Sequence, residues 1–163
     1  MDVLVLGLGN ILMRDDGVGV RVVHYLESTF QFSEKVKLLD GGTGAFFLLP
    51  FLEKAERVIL IDAVKAGKNP GDIFEGSLKD INTYLMERLS LHEISLPDLL
   101  ALLNLRGKVF DEFHIIGIEP EEISFGEALS DCVEAKLPLL VERVLHKLQQ
   151  WGISYSLKER TPK

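Results

Sequence analysis

The 163-residue chain predicts an α/β fold, a mostly parallel sheet covered by helices on both faces and so built in three layers. Two observations carry this. Short apolar runs, Val3–Leu6, Val36–Asp40, Arg57–Ile61 and Phe113–Ile118, have the length and β-branched content of buried strands. Stretches with helical spacing alternate with them, the first marked by Val18, Val22 and Leu26.

Taken in order, the first strand breaks at Gly7 and Gly9, passes a short loop from Asn10 to Arg14, and meets two adjacent acids, Asp15 and Asp16. Acids at a helix start meet unpaired N–H groups and the positive end of the helix dipole, a local role that suits Asp15. The second strand ends in Asp40-Gly41-Gly42-Thr43-Gly44, a flexible turn. Residues 45–54 read as a helix that Pro50 bends or ends. The third strand ends in Asp62, and residues 73–75 suit a short edge strand. Residues 78–89 are ambiguous. A helix follows that Ser95 can cap, with Asp98 at the box position and Leu96, Leu99, Leu100 and Leu103 as its apolar face. The last strand closes at Glu119-Pro120. Asp131 and Glu134 suit a capping box for a long terminal helix, striped by Val133, Leu137, Leu140, Val141, Val144, Leu145 and Leu148 and kinked near Pro138. One domain over residues 1–163 is expected, with 153–163 as a frayed tail.

Composition narrows the function. A net charge of −7 argues against a nucleic-acid footprint. The single cysteine, Cys132, leaves no intrachain disulfide and favours a reducing compartment. Met1-Asp2 offers no basic n-region, and the densest apolar run, residues 45–52, is too short to cross a bilayer. These features lead us to expect a soluble, cytoplasmic protein.

In a sheet of this kind, ligands bind outside the carboxyl ends of the strands, and parallel strands put those ends on one edge. Here that edge receives Asp15 and Asp16, then Asp40, Asp62 and Glu119. Taken singly, each acid suits a cap or turn; acids after every strand need a further explanation. Mutually repelling carboxylates need a cation, a proton or a cationic ligand nearby. Carboxylate oxygens with an imidazole make a shell for a divalent transition metal, and His92, in a loop ahead of a helix, can supply the nitrogen. His24 falls on the first helix and His146 on the polar side of the last. His114 lies inside a strand, and Cys132 reads as an inert thiol.

Other sites fit poorly. Gly7-x-Gly9 begins a dinucleotide fingerprint, but Leu12 replaces the third glycine and two acids stand where a pyrophosphate would bind. His92-Glu93 begins a zincin motif, but Leu96 replaces the second histidine. No nucleophile elbow is present.

Five stretches resemble the [NiFe]-hydrogenase maturation endopeptidases: GLGNILMRDDGVGV at residues 7–20, LLDGGTG at 38–44, VILIDAV at 58–64, LSLHEISL at 89–96 and IIGIEP at 115–120. They span most of the chain in the family's order. The resemblance implies a twisted sheet flanked by helices. It implies removal of a C-terminal peptide from the hydrogenase large-subunit precursor after nickel insertion, the nickel being supplied by that precursor. It also implies metal contacts from Asp16, Asp62 and His92, where many relatives have Glu at the first position. Asp16, Asp40 and Asp62 stand as candidate catalytic groups. Two further readings stay open, a non-catalytic nickel- or precursor-binding chaperone and a related peptidase with another substrate.

Overall fold

The computed structural model describes residues 1–43, 46–79 and 96–159. Five strands form one sheet: β1 (Val3–Leu8), β3 (Val36–Gly42), β4 (Arg57–Ala63), β5 (Ile73–Ser77) and β6 (Glu112–Ile118), in the order β3-β1-β4-β6-β5. The first four strands named by the sequence pair parallel, β1 with β3 and β4, and β4 with β6. β5 closes one side antiparallel to β6. The sheet is thus mostly parallel, as expected.

Helices cover both faces because the strand side chains alternate. Val3, Val5, Ile59, Ile61, Ile116 and Ile118 face α1 (Val18–Thr29) and the two terminal helices, α4 (Asp131–Glu134) and α5 (Leu137–Gln150). Leu4, Leu6, Val58, Leu60, Phe113 and Ile115 face α2 (Leu49–Lys54) and α3 (Leu96–Leu105). Val18, Val22 and Leu26 are fully buried, as the helical spacing requires. A strand with both faces apolar costs little to place at the centre of such a sheet, and β1 is buried along its whole length.

Several elements depart from the sequence reading. Pro50 neither bends nor ends a helix; it sits in the first turn of α2, where its missing N–H is harmless. The terminal helix is broken into α4 and α5, with Pro138 opening the second. Its N-cap position is Ser130 rather than Asp131, and no side chain caps it. Ser95 lies outside the described residues. The expected frayed tail is corrected most clearly: Tyr155–Leu157 form β7, which pairs antiparallel with β2 (Phe30–Phe32) in a separate ribbon. Phe30 packs edge-on against Tyr155 at 5.5 Å between ring centres, so two three-residue strands gain an aromatic contact that their length alone would not sustain. Among the described residues no helix is long and apolar enough to cross a membrane.

Candidate active site

The site is built where β1 turns into α1. Gly9 has φ +128°, and a Cβ there would lie 1.7 Å from the carbonyl oxygen of Asp16. Only glycine lets the chain fold back so tightly. The returning segment forms a short 3-10 turn, Arg14–Gly17, which carries Asp15 and Asp16. The Asn10 N–H donates to Asp16 Oδ2 at 2.8 Å and fixes that carboxylate. At Gly19 a Cβ would meet the Ile61 carbonyl oxygen at 2.2 Å. The start of α1 is therefore pressed onto β4 one residue before Asp62.

Asp62 is only 5% exposed. Burial, and then the charge of Asp16, push its carboxyl well above the usual aspartate range, against a hydrogen bond from the Ala63 N–H. The structure thus couples Asp16 and Asp62 electrostatically. A carboxyl group in that position holds a proton or needs a cation, and it can exchange one for the other.

Asp40 lies on the same edge, on the far side of β1. Gly7 pairs with Asp40 on one side and Ile61 on the other, so Asp40 stands two strands from the Asp62 row, roughly 10 Å away. It does not bond to either other acid. His24 Nε2, on α1, lies 2.9 Å from Asp40 Oδ2, and the Gly42 N–H donates to Asp40 Oδ1 at 2.9 Å. His24 was set aside in the sequence; nothing in the chain's order brings it to a residue sixteen positions later. His92 lies outside the described residues, so the nitrogen of the expected shell has no position here.

Two of the edge acids do other work. Asp15 is fully buried and caps nothing on its own helix. It accepts from the N–H groups of Glu121, Glu122 and Ser130 at 2.8–2.9 Å, and from the Ser130 hydroxyl at 2.7 Å. Burial raises its carboxyl, but these four donors outweigh burial and hold it below the ordinary value. Asp15 therefore anchors the segment after β6, and it takes the hydroxyl that would have capped α4. Glu119 accepts from the Ala66 and Gly67 N–H groups at 2.7 and 3.2 Å and draws the segment after β4 to the end of β6. The Cys132 thiol donates to Glu121 Oε2 at 3.0 Å; that bond, with burial, pushes it up, away from thiolate chemistry. His114 bonds Glu75 at 2.9 Å within the sheet.

Around the acids the edge is apolar. Ile11 and Leu12 after β1, Phe46 and Phe47 after β3, and Phe125 after β6 are all exposed. Arg14 N–H to Gly126 O and Gly126 N–H to Leu12 O stitch the first of these segments to the last.

Asp16, Asp40 and Asp62 thus stand at the carboxyl ends of a mostly parallel sheet, where α/β proteins bind their ligands. The hydrogenase maturation protease family, HycI, matches residues 20–147, and the chain belongs to that family. It is 37% identical over 153 residues to the hydrogenase expression/formation protein HupD of Rhodobacter capsulatus, covering 93% of this chain and 73% of that one. It is 32% identical over 154 residues to the hydrogenase 2 maturation protease of Escherichia coli, covering 94% of each. The solved structure of the hydrogenase maturating endopeptidase HybD from Escherichia coli superposes with a TM-score of 0.90 at 31% identity, over 97% of this chain and 98% of that one. The protein is therefore a peptidase.

Proposed function

We propose that the chain is an endopeptidase that removes the C-terminal peptide of a [NiFe]-hydrogenase large-subunit precursor once nickel is in place. Family membership supports the substrate class. The observation that carries the chemistry is the buried Asp62 carboxyl coupled to Asp16. Two carboxylates that repel each other admit a proton or a divalent cation between them. Asp16 and Asp62 are hard oxygen donors suited to such an ion, and His92 completes the set with a nitrogen. The ion belongs to the precursor, so the site reads a loaded substrate rather than keeping a metal of its own. This makes the peptidase of the aspartic, metal-dependent kind. Contact with the precursor's nickel fixes the scissile bond in place. Asp16, Asp40 and Asp62 are the groups available to take a proton from the attacking water. The exposed Ile11, Leu12, Phe46, Phe47 and Phe125 receive the polypeptide around that bond.

The test is a cleavage time course on nickel-loaded and nickel-free precursor, read as mass loss at the precursor's C-terminus. Only the loaded form should be shortened, and His92→Ala should remove most of that discrimination with circular dichroism unchanged. Equal cleavage of both forms would defeat nickel reading. A stable complex with intact, loaded precursor would favour a chaperone and overturn the peptidase reading.

A further inference from the structure

β3 is an edge strand of the main sheet, and among the described residues no strand pairs with its outer side. The direction of its backbone groups follows from its contacts. The Lys35 carbonyl accepts from the N–H groups of Asp2 and Val3 at 2.9 and 3.0 Å and so faces β1. The Val36 N–H turns the other way, to the Ser33 carbonyl at 3.0 Å. Backbone groups alternate along a strand. Lys37 and Leu39 therefore direct theirs to β1, while Leu38 and Asp40 direct theirs outward. An open groove of about 620 Å³ runs along this edge, walled by Phe30 and Phe32 of the ribbon and by Val36 and Leu38 of β3 itself. Glu27, Gln31, Lys37 and Lys158 also line it, and the Lys158 ammonium donates to the Glu27 carbonyl.

An unpaired edge of this kind invites association, and proteins commonly cover or blunt it. Here it is open and apolar-walled, and its carboxyl end is Asp40. Both edge strands lie two strands from β4, but only β3 carries one of the candidate catalytic groups, Asp40, at the carboxyl edge. A strand laid on β3 is thus led to Asp40, and a strand laid on β5 is not.

We propose that β3 takes up an extended segment of the protein substrate as an added strand, paired through the outward N–H and C=O groups of Leu38 and Asp40. The inference rests on the peptidase reading above and deepens it by assigning the groove to the chain that flanks the scissile bond. Main-chain pairing gives affinity without demanding a sequence, and the groove's alternating pockets then select side chains. Phe30, Phe32 and Leu38 favour apolar side chains facing the ribbon. Lys37, on β3 itself, opposes pairing of β3 with the β3 of a second copy.

The test uses the full chain and a nickel-loaded large-subunit precursor with its C-terminal extension intact. Leu38→Pro removes an N–H that β1 does not use, so the sheet should form. Cleavage at low precursor concentration should fall at least tenfold. In the unmutated protein, amide exchange at Leu38 and Asp40 should slow when the precursor binds. Wild-type cleavage by folded Leu38→Pro, or unchanged exchange at both amides in the complex, would overturn strand addition. Should Leu38→Pro fail to fold, the exchange measurement decides. A precursor that binds unmutated protein but stays intact would count against the peptidase reading alone, because the exchange at β3 still reports on the added strand. A precursor that does not bind would overturn both.

Discussion

His24 Nε2 and Asp40 Oδ2 lie 2.9 Å apart, joining the middle of α1 to the carboxyl end of β3. With the Gly42 N–H on its other oxygen, Asp40 is held from two sides. The histidine aims the carboxylate but is itself half-exposed, so its worth to the fold is small.

His24→Ala should therefore leave thermal stability within about 0.5 kcal/mol of the parent, as for a surface change. It should lower the rate of precursor cleavage by roughly tenfold, the lower end for loss of a group that orients a functional ligand. His24→Gln, which keeps a donor, should recover part of that loss. Steady-state cleavage rates beside melting curves for the two variants check the split.

Asp62 carries the opposite balance, with function favoured over stability. Its carboxyl is raised in the folded state, so its contribution is fully present below the unfolded value near 3.8 and is lost as pH rises through the folded value. Asp62→Asn keeps the shape and removes the charge. It should abolish cleavage yet raise Tm at neutral pH, with each kcal/mol recovered appearing as about 2–4 °C. The gap between the two melting curves should widen from pH 4 to pH 8. A gap that is flat or narrows across that range would contradict the buried, repelled carboxyl.

Asp15 has the reverse sign. Its folded value is lowered, so its stabilisation is present above the ordinary 3.8 and is lost as pH falls below it. Asp15→Ala strands the buried N–H and hydroxyl of Ser130 and the half-buried N–H groups of Glu121 and Glu122, and at about 1–3 kcal/mol for each unsatisfied buried group the loss should be about 3 kcal/mol. Denaturant unfolding at pH 7 and pH 3 measures both effects, because the difference between parent and variant should shrink in acid.

The strands and the acids at their ends were legible because each is a local signal. An apolar run such as RVILI followed by Asp62 states both the strand and the side of the sheet its last residue reaches. What escaped depends on contacts between distant segments. His24 carries no mark of Asp40, and the β2–β7 pairing joins FQF to YSL across more than 120 residues, with too few residues in either strand to show a period. Local spacing suits Asp15 to a helix start, a role it does not play. Instead the segment 121–130 turns its N–H groups onto Asp15, while the neighbouring Asp16 takes the Asn10 N–H and raises the Asp62 carboxyl by its charge. Glu119 looked like a fourth acid for the site, and local spacing could not reveal that its oxygens are taken by Ala66 and Gly67.

The bond from Ser130 to Asp15 spans 115 positions. During synthesis the ribosome releases Asp15 and Asp16 early, but the groups that hold the turn beneath them emerge only when four-fifths of the chain has been made. Until then the buried carboxylate of Asp15 has no donors, and the turn carrying Asp16 has no floor. A nascent chain shorter than about 130 residues thus holds three of the acids without the architecture that makes them a site.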